Sequence, residues 1–139
     1  LWLDAAEEAM DQEFHGQYDI WGGDIDPAAV ALSRHNAELA GVEDCIRFEV
    51  ADAGKFHRDS EYGQLVTNPP YGERLLEKKE AEDLYRMFGA ALRDLPPKWR
   101  VLVLSSHTEF ERCFGRPADK KRKLYNGMIK CDLFMYGNV

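Results

Sequence analysis

The sequence predicts an α/β fold with a mostly parallel sheet and a C-terminal antiparallel hairpin. Short apolar segments of strand character alternate with longer segments whose apolar residues recur at helical spacings of three and four. The run Val101-Leu102-Val103-Leu104 is continuously apolar, which is typical of a parallel strand covered on both faces. Asn126-Gly127 lies between two further strand-like segments and is a strong signal for a two-residue hairpin turn.

The first 50 residues predict two helices and two strands. Helices are expected over residues 1–14 and 28–40, and strands over residues 18–23 and 45–50. Asp26 suits the N-cap of the second helix and Pro27 its first position, while Gly41 is a typical residue just past a helix end.

The remaining chain continues the alternation. A strand is expected over residues 62–67, a helix over 78–93, and a strand over 99–105 after the break at Leu95-Pro96-Pro97. Residues 106–109 fit a capping box, Ser-x-x-Glu, and predict a helix that runs from there to about Phe114.

The loop Asn68-Pro69-Pro70-Tyr71, which follows the strand over residues 62–67, is the main candidate site. Both prolines lack an N–H group and have a fixed φ, so the loop is stiff and offers mostly acceptor oxygens. Acceptors beside the flat ring of Tyr71 suit a planar base with an exocyclic NH₂ group. The alternative is a proline-rich turn whose tyrosine packs into the core.

Asn68-Pro69-Pro70-Tyr71 resembles the catalytic motif of the S-adenosylmethionine-dependent methyltransferases that modify exocyclic amines of adenine or guanine. The longer string from Thr67 to Arg74 resembles one branch, the THUMP-associated ribosomal RNA guanine-N2 methyltransferases, often labelled N6-adenine-specific DNA methylases. The resemblance runs from about Tyr18 to the C-terminus and matches the C-terminal part of the catalytic domain. It implies a Rossmann-like methyltransferase fold with S-adenosylmethionine as cofactor.

Two acids lie where strands are expected to end. Asp24 follows the first strand, at the sheet edge where ligands of open α/β sheets bind, and a carboxylate there can accept from both hydroxyls of a ribose. Asp52 follows the second strand and by its spacing is equally well a loop acid. The resemblance implies that Asp24, Ile25, Asp52, Ala53 and Asn68 bind the cofactor, with Asp52 and Ala53 against the adenine.

The sequence lacks one motif that the resemblance leads us to expect. No Gly-rich turn of the G-x-G kind precedes Asp24, and no N-terminal RNA-binding module is recognisable. Residues 1–139 are therefore expected to be a partial catalytic domain that by itself binds the cofactor weakly or not at all. The first strand of such a sheet would normally lie between the strands over residues 18–23 and 62–67, so these two strands are not expected to pair.

Composition limits the other classes of function. The chain has 139 residues and a net charge of −7, which weighs against its holding RNA or DNA by itself. Its three cysteines have no metal-ligand spacing and are expected to be reduced structural thiols of a cytoplasmic protein, with no metal site. The four histidines are interpreted as structural or surface residues, although His107 follows a strand and could line the site. No membrane span is expected.

We therefore expect methyl transfer from S-adenosylmethionine to an exocyclic amine, with guanine in large-subunit ribosomal RNA as the favoured substrate. The alternatives are an adenine-specific DNA methyltransferase and a non-catalytic RNA-docking domain that keeps the fold. The basic segment 116–123 fits RNA contact and an edge strand protected by lysines equally well. A membrane partner is not expected, whereas an N-terminal region of the same protein is.

Overall fold

The structure is a computed structural model and describes residues 1–73 and 75–137. Arg74, which belongs to the string that carries the resemblance, lies outside the described residues. The chain divides into two compact units, Leu1–Val50 and Ala51–Val139. No helix in the described part of the chain is long and apolar enough to cross a membrane.

The first unit contains two helices and a two-stranded parallel sheet. Its elements are α1 (Trp2–Asp11), β1 (Ile20–Asp24), α2 (Pro27–Leu39), a 3₁₀ turn (Glu43–Cys45) and β2 (Ile46–Val50). Strands β1 and β2 are in register from Ile20 opposite Ile46 to Asp24 opposite Val50. Asp26 caps α2 as predicted, because its carboxylate accepts from the backbone N–H of Ala28 at 2.9 Å.

The second unit carries a four-stranded mixed sheet. Its elements are a 3₁₀ turn (Ala53–Lys55), β3 (Tyr62–Thr67), α3 (Leu75–Leu92), β4 (Lys98–Ser105), α4 (Phe110–Phe114), β5 (Lys120–Asn126) and β6 (Ile129–Tyr136). The strand order is β3-β4-β6-β5. Strands β3 and β4 are parallel, while β6 runs antiparallel to both β4 and β5, which confirms the predicted C-terminal hairpin.

Aromatic side chains fill the core of the second unit. Helices α3 and α4 contribute Tyr85, Phe110 and Phe114, and strand β6 contributes Phe134 and Tyr136. The rings of Phe110 and Phe134 stack at 4.6 Å, and those of Tyr85 and Phe110 meet edge to face at 4.9 Å. This packing makes the sheet and its two helices a rigid scaffold that positions the loops at the strand ends.

Helices α3 and α4 approach each other closely at Gly89. A Cβ atom at this position would lie 1.9 Å from the backbone oxygen of Phe114, so only glycine fits. The close approach packs α4 against α3. The connection between β4, which ends at Ser105, and α4 contains His107.

Strand β1 pairs with β2 in the first unit, and β3 pairs with β4 in the second. The predicted parallel strands before and after the Asn68 loop are present within one or two residues of their expected bounds.

The predicted capping box at residues 106–109 is wrong. Helix α4 begins only at Phe110, and its N-cap residue, Glu109, makes no side-chain cap. His107 Nδ1 accepts from the N–H of Glu109, the amide that Ser106 would bind in a capping box, and Ser105 Oγ accepts from the N–H of His107. The Glu109 carboxylate binds Arg112 at 2.7 Å instead of reaching back.

The hairpin turn lies one residue later than predicted. Asn126 pairs with Ile129, so Gly127 and Met128 are the two turn residues. Gly127 has a φ of +62°, and no non-glycine residue in the described part of the chain has a positive φ. A positive φ at the first turn residue alone is the geometry of a type II′ turn, which places glycine there.

Candidate active site

The Asn68 loop begins at the carboxyl end of β3, next to the carboxyl end of β4. These strands are parallel, with Thr67 opposite Val103, so their ends meet at one edge of the sheet. Ser105 is the last residue of β4 and His107 follows it, so both lie at this edge, and both are buried. The predicted loop residues therefore share their location with two polar residues from a neighbouring strand end, as ligand sites of α/β sheets do.

Gly72 turns the loop sharply onto the start of α3. Its φ is +71°, a region that only glycine adopts without strain. A Cβ atom at this position would lie 2.7 Å from the Cα atom of Lys78. Any larger residue would therefore push the loop away from the helix and move Tyr71 with it.

Tyr71 is half-buried, and the hairpin at the end of the chain holds its hydroxyl group. The Asn126 side-chain amide donates to the Tyr71 hydroxyl oxygen at 3.1 Å. Burial raises the pKa of the Tyr71 hydroxyl, Asn126 opposes that rise, and the nearby Cys131 thiol reinforces it. The Asn68 amide is also close enough to lower this pKa, so both polar side chains of the loop lie near one another.

The Tyr85 side chain of α3 holds the loop through a hydrogen bond to its backbone. Its hydroxyl group donates to the backbone oxygen of Pro70 and lies 3.1 Å from Ser105 Oγ. The Tyr85 side chain is completely buried, and burial raises the pKa of its hydroxyl group. The loop is thus fixed at Pro70 and Gly72 by α3 and at Tyr71 by the C-terminal hairpin, which is the preorganisation that a binding loop needs.

His107 extends this network into the core. Its Nε2 atom lies 3.1 Å from Glu82 Oε1, although the ring N–H is not aligned well enough with that oxygen for a hydrogen bond. Its ring meets that of Tyr85 edge to face at 5.6 Å. The interpretation of His107 as a structural residue agrees with its burial, whereas His15, His35 and His57 are exposed.

A cavity of about 610 Å³ opens beside the loop. It is lined by residues 70–73 of the loop, by Glu77, Glu80, Ala81 and Leu84 of α3, and by Ile129 of β6. Its volume lies within the range of ligand sites, about 300–1,000 Å³. Carboxylates accept hydrogen bonds and repel phosphate, so this cavity suits the N–H groups of a base better than a nucleic-acid backbone.

Each of the predicted cofactor acids forms one local hydrogen bond. Asp24, at the end of β1, accepts from the N–H of Asp26 at 2.9 Å through Oδ1. Asp52 accepts from the N–H of Gly54 at 2.8 Å, also through Oδ1, and caps the 3₁₀ turn that contains Ala53. In both cases Oδ1 makes this bond. No hydrogen bond to the Oδ2 atom of either carboxylate occurs among the described residues.

The structure places the predicted residues in two groups. Asn68, Pro69, Pro70 and Tyr71 form one loop in the second unit, which also contains Asp52 and Ala53. Asp24 and the exposed Ile25 belong to the first unit. Their predicted roles toward the cofactor remain predictions.

Sequence reasoning missed four residues that support the loop: Tyr85, Ser105, Glu82 and Asn126. Tyr85 lies on the buried face of its helix, and a buried tyrosine hydroxyl needs a partner, which is a usable signal. Nothing in the spacing points to that partner, because Pro70 and Ser105 lie 15 and 20 residues away. Within the described residues, no group of three or more potential ligands could hold a metal ion.

Comparison with known proteins gives consistent matches. Residues 2–134 match the family model described as "RMKL-like, methyltransferase domain". The chain is 42% identical over 137 residues to YpsC of Bacillus subtilis (strain 168), covering 98% of the chain and 35% of YpsC. It is 38% identical over 140 residues to ribosomal RNA large subunit methyltransferase K/L of Shewanella baltica (strain OS185), covering 98% of the chain and 20% of that protein.

A solved structure shows the same fold. The chain superposes on SMU.472, crystallised in complex with SAH, with a TM-score of 0.89 and 40% identity, over 99% of the chain and 37% of SMU.472. The chain thus spans between 20% and 37% of the length of these three proteins.

Proposed function

Because this chain belongs to the family of RMKL-like methyltransferase domains, which use S-adenosylmethionine, we propose that its Asn68 loop methylates the exocyclic amine of a guanine in large-subunit ribosomal RNA. The observation that carries this proposal is the fixed geometry of the loop. Tyr85 holds Pro70, Asn126 holds Tyr71, and the left-handed turn at Gly72 closes the loop against α3.

Each loop residue has a distinct role in this proposal. The Asn68 side-chain oxygen accepts one hydrogen bond from the target NH₂ group, and the Pro69 carbonyl oxygen accepts the other. These bonds orient the nitrogen lone pair toward the reacting methyl group. The ring of Tyr71 stacks on the base, and the remaining N–H groups of guanine face the carboxylates of Glu77 and Glu80 in the cavity.

The residues present fit the cofactor. When bound, S-adenosylmethionine supplies an electrophilic methyl group on a positively charged sulfur. The Oδ1 atoms of Asp24 and Asp52 make the local hydrogen bonds, and their Oδ2 atoms can accept further ones. Such acceptors suit the ribose hydroxyls for Asp24 and the adenine amine for Asp52. Alignment of the amine with the methyl group, rather than acid–base help, is what the chain has to provide.

Two observations support RNA as the substrate. The relative from Shewanella baltica that matches 98% of this chain is named for ribosomal RNA. Strand β5 also presents Lys120, Arg122 and Lys123 to solvent, although the chain as a whole is acidic. A basic strand beside an acidic base-binding cavity separates phosphate contact from base contact.

The test is methyl transfer by the full-length protein from labelled S-adenosylmethionine to deproteinised large-subunit ribosomal RNA, with plasmid DNA as a parallel substrate. We expect label in RNA, and N2-methylguanosine after digestion to nucleosides. Asn68→Ala should lower kcat on the order of 100-fold, because misplacing the reacting nitrogen by about 1 Å costs that much. Its affinity for the cofactor should change little, because Asp24 and Asp52 hold the nucleoside of the cofactor in this proposal.

The exposed Asn36 of α2 provides the matched control, since Asn36→Ala removes the same group from a residue that belongs to the first unit. Thermal unfolding is measured on all variants, so that loss of activity is not confused with loss of fold. Label recovered as N6-methyladenine in DNA would contradict the proposed substrate. Near-normal turnover by folded Asn68→Ala would contradict the catalytic assignment of the loop.

A further inference from the structure

The hydroxyl group of Tyr85 connects the buried end of β4 to the backbone of the Asn68 loop. We propose that Tyr85 is a positioning residue: by holding the Pro70 carbonyl group it fixes the two neighbouring acceptors, Asn68 and Pro69, in the orientation that the target amine requires. This inference rests on the proposed function of the loop. Tyr85 touches neither the substrate nor the cofactor in this scheme and acts only through the loop.

The direction of the hydrogen bonds follows from counting protons. The Pro70 carbonyl oxygen can only accept, so the single hydroxyl proton of Tyr85 points to Pro70. At the 3.1 Å contact between the two hydroxyls, Ser105 is therefore the donor and Tyr85 the acceptor. Ser105 Oγ accepts in turn from the backbone N–H of His107 at 3.1 Å. The chain of hydrogen bonds runs in one direction, and its members strengthen one another.

The far end of this chain of hydrogen bonds is anchored in the core. His107 Nδ1 accepts from the N–H of Glu109 at 3.0 Å, which puts the proton of the neutral ring on Nε2, 3.1 Å from Glu82 Oε1. Both ring nitrogens of His107 therefore have a polar neighbour, one on the turn before α4 and one on α3. The ring is 4% exposed, so its position is set by packing as well as by these contacts.

The composition of the loop explains why an outside donor is needed. Pro69 and Pro70 have no N–H group, so this part of the loop has no backbone donor with which to hold itself. Tyr85 supplies that donor from a completely buried side chain, whose position is fixed by the core of the second unit. The same bond occupies the Pro70 carbonyl oxygen and leaves the Asn68 and Pro69 oxygens as the acceptors offered to the amine.

The experiment compares Tyr85→Phe with the wild type in the full-length protein. Methyl transfer to large-subunit ribosomal RNA gives kcat and the KM for S-adenosylmethionine. We expect kcat to fall roughly 10- to 100-fold with that KM little changed, because the acceptors shift while Asp24 and Asp52, which hold the nucleoside of the cofactor in the proposed function, do not. Hydrogen exchange at the amides of residues 71–73, followed by mass spectrometry, should become faster in the variant.

Phe114→Leu is the matched control for simple destabilisation. Phe114 is buried in the same core and stacks on Phe110, but it makes no hydrogen bond to the loop. Its Tm should fall while kcat and exchange at residues 71–73 stay normal well below the Tm. Normal kcat or normal loop exchange in Tyr85→Phe would overturn the inference.

The two proposals fail in different ways. If the wild-type protein methylates no RNA, the proposed function fails, and hydrogen exchange alone then decides whether Tyr85 fixes the loop. If the wild type is active but Tyr85→Phe behaves like Phe114→Leu, the proposed function stands and the positioning role of Tyr85 is refuted.

Discussion

Tyr71 contributes a ring and a hydroxyl group to the candidate site, and the structure gives the two different tasks. The hydroxyl oxygen accepts from Asn126 and ties the loop to the hairpin, while the half-buried ring borders the cavity. The ring is therefore free to stack on a base while the hydroxyl group keeps the ring in place. Substitutions that remove one part and keep the other should have different effects.

Tyr71→Ala should weaken substrate binding, and Tyr71→Phe should be mild. Loss of a stacking face costs about 1–3 kcal/mol per base, which raises the KM for RNA roughly 5- to 150-fold. Loss of the hydroxyl group removes one hydrogen bond, worth about 0.5–1.5 kcal/mol of stability, and leaves the ring in place. Steady-state kinetics and urea unfolding of both variants would measure the two effects.

Asn126→Ala is the matched variant, because it removes the same hydrogen bond from the other side. Tyr71→Phe and Asn126→Ala should therefore lower stability by similar amounts and should not be additive when combined. A Tyr71→Phe variant as impaired in RNA binding as Tyr71→Ala would show that the ring is not the group that holds the base.

At the scale of elements, strand β5 is the most basic part of the second unit and lies at the edge of its sheet. Lys121 forms an ion pair with Glu111 at 2.9 Å, and the pKa of Lys121 is raised by that hydrogen bond. No ion pair within 4.0 Å to Lys120 or Arg122 occurs among residues 1–73 and 75–137. Alternation along the strand puts these two cations on one face.

Replacing Lys120 and Arg122 by glutamine should weaken RNA binding mainly at low salt. Removing one phosphate contact lowers the slope of log affinity against log salt by about one unit, so the double variant should have a slope smaller by about two. Filter binding of the ribosomal RNA at several salt concentrations measures the slope. Lys121→Gln is the control, because Glu111 already neutralises that charge, and it should change the slope less. An unchanged slope in the double variant would favour edge protection as the role of these residues.

Local signals predicted most elements and the position of the Asn68 loop after β3, and they failed where a tertiary contact decides the backbone. Pro27 and Asp26 define a helix start by their own chemistry, and a run such as Val101–Leu104 is a buried strand in almost any context. The capping box at Ser106 was wrong because the buried His107 side chain binds the Glu109 amide that Ser106 would have bound. The support by Tyr85 could not be read from spacing, because it depends on how α3 packs beside β4.

At the scale of the whole chain, the two units differ in how many buried apolar side chains they contain. The aromatic cluster belongs entirely to the second unit. In the first unit Val30 and Ala37 are the buried apolar residues among those described, while Ile20 and Trp21 of β1 are 45% and 44% exposed. A two-stranded sheet of this kind is marginally stable in water. The first unit should therefore open locally far more often than the second.

Hydrogen exchange on the chain of residues 1–139 tests this difference. Amides of β1 and β2 should exchange much faster than those of β4 and β6, because few buried contacts oppose opening of the two-stranded sheet. The family resemblance implies a further strand beside β1, and we propose that the full-length protein supplies it. In that longer form, amides of β1 should become strongly protected, since the added strand would pair with its open edge, whereas β4 should change little. Equal protection of β1 in both forms would show that no such strand joins it, and slow exchange of β1 in residues 1–139 alone would refute the weak coverage of the first unit.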